Sequence, residues 1–219
     1  MSSSSSFDPV LPGSGLARSL TSTVLATELP AIANHSIRTF LFARLLGEHL
    51  DAAPGRDYDE QLLFAACLLH DIGLTSAADG RQRFEVDGAD HAAQILRGHG
   101  MPVPDVDAVW DAIALHTSGG IAERRSLLCR LTRGGVGLDL GLGAEFVVAE
   151  QAAAIHAAYP RLDMERALVD VITEQVRRTP SKAPRYSIAD VLVAERAAPP
   201  QITRMEQGAA SARWGGHAG

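Results

Sequence analysis

The chain has one lysine and two cysteines in 219 residues, and few aromatics (5%). It has no apolar stretch long enough to span a bilayer. Lys182, the single lysine, lies in a Pro-flanked connector, so Schiff-base and lysine general-base chemistry drop out. Cys67 and Cys129 are far apart and form no paired-Cys motif, which reads as two buried thiols in a reducing cytosol. The basic side is almost wholly arginine and the formal net charge is −6, so nothing marks a nucleic-acid or anionic-membrane binder. Met1 and the serines Ser2 to Ser6 carry neither a basic region nor an apolar signal core. The expectation is a cytoplasmic protein.

Alternating, strand-like patterns are nearly absent as well, while helical periodicity recurs throughout. With 46% hydrophobic residues the chain can bury one sizeable core, and the expected class is all-α. Helices are expected over Leu16 to Leu29, Ala31 to Leu50, Glu60 (capped by Asp59) to Ile72, Val86 to His99, Pro104 to His116 and Ala122 to Thr132. Glu145 to Tyr159 and Asp163 to Arg178 read as an antiparallel pair around Pro160, and Ser187 to Ala197 as a last short helix. Gly134-Gly135-Val136-Gly137-Leu138-Asp139 reads as either a loop or a glycine-weakened helix. Residues 1–13 are expected to be a flexible lead-in, 14–198 a single domain and 199–219 a loose tail on which Trp214 could dock. The alanine-rich stretches Glu150 to Ala158 and Leu192 to Ala198 could support association into a homo-oligomer.

His70 and Asp71 end the apolar run Leu62 to Leu69, an odd place for polar groups, since unpaired buried charge is costly. A metal supplies the reason. Neighbours on a helix stand about 100° apart, so both can point at one ion from a helix end. His35 on the preceding helix and Asp139 from a distant segment would complete a nitrogen–oxygen set for a divalent ion. An open coordination position would then let it acidify water.

The words around these residues resemble the HD-domain superfamily of metal-dependent hydrolases, all-α proteins with a His…His-Asp…Asp signature. His35, His70, Asp71 and Asp139 match that signature. Within it, the cyanamide hydratase-like branch is most similar. That finer match rests on Asn34-His35-Ser36-Ile37-Arg38-Thr39-Phe40, Leu69-His70-Asp71-Ile72-Gly73-Leu74-Thr75 and Arg83-Phe84-Glu85-Val86-Asp87-Gly88-Ala89. Ile113-Ala114-Leu115-His116-Thr117 and Gly135-Val136-Gly137-Leu138-Asp139 add to it.

The resemblance implies an HD-like helical bundle and a hydratase acting on a small nitrile-like molecule, cyanamide giving urea. Zinc is the favoured ion; iron(II), manganese and nickel also suit the ligands. Arg38, one turn after His35, would hold Asp71 or Asp139, or bind an anionic substrate group. Thr75 would either touch a ligand or substrate, or only cap backbone.

Glu85 and His116 are the acid/base candidates; His116 could instead bind a second metal or simply face its helix C-terminus. Two-metal HD proteins carry an additional His near Glu85. His91 could replace it, but the site reads as mononuclear. The partner is a small-molecule substrate, with neither nucleic acid nor membrane involved. A phosphohydrolase acting on a nucleotide or phosphate ester is the alternative enzyme. A two-metal oxygenase would need both His91 and His116, and a metal-stabilised binding module would need no catalysis at all.

Overall fold

A computed structural model of the chain describes residues 9–215. Among them are eleven α-helices and no strand. The all-α expectation holds. Ser14 accepts the Ala17 amide and starts α1, Gly15–Thr27. Pro30, in the first turn where its missing N–H costs nothing, opens α2, Pro30–His49. α2 is buried on nearly every side and is the axle of the fold.

Asp59 accepts from the amides of Gln61 and Leu62 to begin α3, Glu60–Leu69. This helix stops one residue before His70, and a short 3-10 turn, Ile72–Leu74, follows Asp71. The pair therefore sits at the break. α4 covers Phe84–Gly98 and α5 covers Val103–Ala114. A Cβ on Gly73 would collide with the Phe84 carbonyl, so glycine lets α4 lie directly against the turn after Asp71.

The helix expected from Ala122 to Thr132 is broken in two. α6 spans Ala122–Arg125; Ser126 then accepts the Cys129 amide and starts α7, Leu127–Asp139. The glycine-rich stretch before Asp139 is thus helix. α7 is the element against which α2 packs most extensively, and a Cβ on Gly135 would run into the Thr39 carbonyl. Close packing outweighs the poor propensity of glycine here.

α8 (Ala149–Ala158), α9 (Met164–Arg178) and α10 (Ile188–Ala197, capped by Ser187) follow. The larger core gathers apolar faces of α1 to α5 and α7, with Phe40 and Phe64 edge to face at 4.9 Å. A smaller core joins Ile32, Leu74 and Phe84 to α9 and α10.

Residues 199–215 are not the loose tail expected. Thr203 and Glu206 form a reciprocal capping box that starts α11, Arg204–Ser211. Beyond it Trp214 is buried, stacked on Phe42 at 5.3 Å, with its indole N–H on the Asp139 carbonyl at 3.2 Å. Residues 1–8 of the expected lead-in and 216–219 of the tail lie outside the described residues. Lys182 is buried, pairing with Asp87 at 2.6 Å and Asp79 at 3.1 Å, so the single lysine ties α4 and the loop before it to the turn after α9. Both cysteines are buried free thiols. No helix among the described residues is long and apolar enough to cross a membrane.

Candidate metal centre

α2 and the α3 break bring His35, His70 and Asp71 together, each offering a ligand atom, all within 4.8 Å of one another. Their ring protons are fixed by the surroundings. The Nδ1 of His70 lies 2.7 Å from the Cys67 carbonyl, and the Nδ1 of His116 lies 2.6 Å from the Ile113 carbonyl. A carbonyl can only accept, so both Nδ1 atoms donate. His35 Nδ1 lies 2.6 Å from Asp139 Oδ2 and donates likewise. Three imidazoles are left presenting Nε2 to the Asp71 carboxylate, His35 and His70 to Oδ2 and His116 to Oδ1. His35 and His70 Nε2 are 3.2 Å apart. Asp71 is 3.1 Å from His70 Nε2, 3.7 Å from His35 Nε2 and 3.7 Å from His116 Nε2.

Lone pairs and a buried carboxylate facing one point demand a positive charge there, either a proton or a cation. Nitrogen and oxygen donors with Nδ1 anchored behind them suit a divalent metal. Burial works against the Asp71 charge, but His70, His116 and His35 outweigh it and hold the carboxyl well below the usual range. Burial lowers the His35 pKa despite Asp139. It also lowers that of His70, yet Asp71 outweighs it and the net shift is upward, so a metal entering here competes with a proton. His116 is pushed down to about 4 by burial and by His70, and is neutral at physiological pH.

Asp139, expected as the fourth ligand, stands behind His35 and outside that group. Its carboxylate takes a two-pronged bond from Arg38, Nε to Oδ1 and Nη2 to Oδ2, both 2.7 Å. Its backbone carbonyl accepts from Arg161 at 2.6 Å and from Trp214. In this structure Asp139 orients His35. Arg38, fully buried, also donates from Nη1 to the carbonyls of Tyr159 and Pro160, so four of its five N–H bonds are committed, and it stands outside the lining of the cavity beside the cluster.

The Thr75 hydroxyl bonds the Ile72 carbonyl at 2.7 Å and faces a different cavity, beside Glu28 and Leu74. Its hydroxyl is thus bound to backbone and lies away from the lining of the cavity that holds His35, His70 and Asp71. Glu85 is buried and accepts from Arg83 and Thr117, each at 2.5 Å. Burial raises its pKa, but Arg83, His116 and Thr117 outweigh that and keep it ionised. Its carboxylate is thus held as an acceptor between Arg83 and Thr117. His91 lies outside the cluster that could hold a metal.

Above the cluster is a cavity of about 410 Å³. His35, His70, Asp71 and His116 line it, together with Thr117 and faces of α7, α9, α10 and α11. The model of the HD domain family matches residues 32–192. This chain belongs to the HD-domain family. It is also 28% identical to cyanamide hydratases DDI2 and DDI3 of Saccharomyces cerevisiae, over 177 residues covering 77% of this chain and 76% of each relative. HD domains bind divalent metals, and the His35, His70 and Asp71 cluster fits that property.

Three contributors to this HD domain escaped the sequence reading. Half-buried His156 lies 3.9 Å from Asp139 Oδ1, between Phe42 and Trp214. Burial pushes it down to about 4. Arg161 adds positive charge behind Asp139, 3.9 Å from Oδ1. Glu28, buried just before Pro30, has its pKa raised to about 8 by burial and then by Asp71, while Ser36 donates to its Oε2 at 3.0 Å. Nothing at Glu28 but an acid among apolar neighbours could have flagged it.

Proposed function

We propose that this HD domain is a metal-dependent hydratase that adds water across a carbon–nitrogen triple bond, with cyanamide to urea as the type reaction. The convergence of three Nε2 atoms on Asp71 at the floor of a cavity carries the reading, and the likeness to the yeast cyanamide hydratases gives it direction. His35, His70 and Asp71 would hold the ion. Two nitrogens and a carboxylate with an open position suit zinc. A divalent ion there would lower the pKa of water toward neutrality.

His116 does the proton work. It is neutral, its Nδ1 is tied to Ile113, and its Nε2 is the acceptor that lines the cavity. It takes a proton from the attacking water and returns one to the substrate nitrogen. Glu85, ionised, favours the transient imidazolium and holds the Thr117 hydroxyl on the cavity wall. Arg38, through Asp139, keeps His35 in one tautomer and one orientation.

A phosphohydrolase needs cations free to meet phosphate. Arg38 is spent on Asp139, while the wall arginines Arg133 and Arg204 are paired with Glu123 and Glu195. The test is urea release from cyanamide by zinc-loaded protein, run beside phosphate release from nucleotides. Urea without phosphate supports the hydratase; phosphate without urea sinks it.

A further inference from the structure

Resting on the hydratase reading, we infer that the substrate is a neutral C≡N compound carrying an apolar body, larger than cyanamide. At about 30 Å³ for each water, a 410 Å³ cavity has room for roughly a dozen non-hydrogen atoms. Cyanamide has three. Space of this size is that of a pocket for a medium-sized organic ligand.

The wall settles what fills it. α9 contributes Leu168 and Ile172, α10 contributes Ile188 and Leu192, and α11 contributes Met205 and Ala209. Each pair follows helical spacing, so three helices turn an aliphatic stripe to the same space. The buried histidines form one end; Leu142, 62% exposed, and Arg204 mark the rim. The charges on the wall cancel: Arg204 is paired with Glu195, and Arg133 with Glu123 at 3.1 Å. A ligand here meets aliphatic surface and balanced charge, which favours a neutral apolar group over an anion.

The chemistry is the same hydration. The water oxygen bonds the nitrile carbon as one π bond to nitrogen breaks, giving an isourea; its O–H proton then moves to nitrogen as C=N becomes C=O, so both water hydrogens end on that nitrogen. R–NH–C≡N becomes R–NH–CO–NH2, with no other reactant. R lies along α9 to α11 while the triple bond meets His116 and the cluster.

Zinc-loaded protein would be assayed with cyanamide and with N-propyl, N-hexyl and N-benzyl cyanamide, and binding of urea and N-hexylurea measured by calorimetry. The expected kcat/KM rises with the apolar body to at least about tenfold above cyanamide. N-hexylurea should bind at least about tenfold tighter than urea. Ala209→Phe should erase both preferences. Val191→Trp, at a half-buried wall position, should do the same and stands in if Ala209→Phe fails to fold. Cyanamide turned over as well as the larger compounds overturns the inference and leaves the hydratase reading standing. No hydration of any C≡N compound, with N-hexylurea still preferred, sinks the hydratase reading and keeps the apolar pocket. Equal binding of the two ureas overturns the inference whatever the turnover.

Discussion

Asp139 Oδ2 lies 2.6 Å from His35 Nδ1, which leaves the opposite nitrogen of that ring to face His70 and Asp71. A carboxylate can only accept at neutral pH, so it fixes the tautomer; an amide can donate as well. Asp139→Asn is therefore expected to weaken zinc binding by about 10- to 100-fold. Calorimetric titration of the folded variant checks this. Unchanged affinity would mean Asp139 does not set the ring.

Arg38 and Asp139 are a fully buried, two-pronged pair. Lysine would offer a point charge in place of a planar fork and would abandon the carbonyls of Tyr159 and Pro160. Arg38→Lys should cost about 2 kcal/mol and lower Tm by roughly 4–8 °C for a domain of this size. Thermal unfolding measures it. A Tm within a degree or so of the parent would mean the fork is not needed.

Trp214 packs on Phe42 and donates to the Asp139 carbonyl, so the end of the chain braces the same carboxylate-bearing residue. Trp214→Ala should destabilise by about 3 kcal/mol. It should also loosen α11, which walls the cavity, and so raise KM more than it lowers kcat. Denaturant melts beside steady-state kinetics give both numbers. An unaltered melt would assign the C-terminal segment no structural part.

Glu28 makes stability depend on pH. Its folded pKa, about 8, lies above the ordinary 4.5, so the folded state holds the proton more tightly than the unfolded chain does. That contribution is complete below pH 4.5 and is lost as pH rises to about 8. Glu28→Gln keeps an acceptor for Ser36 and has no proton to lose. In metal-free protein it should match the parent near pH 4.5 and exceed it by roughly 4 kcal/mol at pH 8. A difference that does not grow with pH would refute the assignment.

Much of this was legible in the sequence. The polar pair closing an apolar helix pointed to His70 and Asp71, a histidine on the preceding helix to His35, and Asp59 and Ser187 marked helix starts. Which side of a histidine a carboxylate occupies is not written in spacing, so Asp139 was expected on the metal and stands behind His35. Glu85 was an acid/base candidate, and its bond from Thr117, in the loop after α5, arises only on folding. The glycines of α7 argued against helix until Thr39 of α2 showed why a side chain there would not fit. The C-terminal helix was legible, in the Thr203 to Glu206 capping box, but its Gly/Ala/Ser-rich surroundings hid it.

If His35, His70 and Asp71 together hold one divalent ion, removing any one of them must loosen it. Zinc stoichiometry and affinity, measured for the parent and for His35→Ala, His70→Ala and Asp71→Ala, test it most directly. One ion per parent chain is expected, with affinity at least about 100-fold weaker in each folded variant. Full zinc retention in the His70→Ala variant would contradict the account.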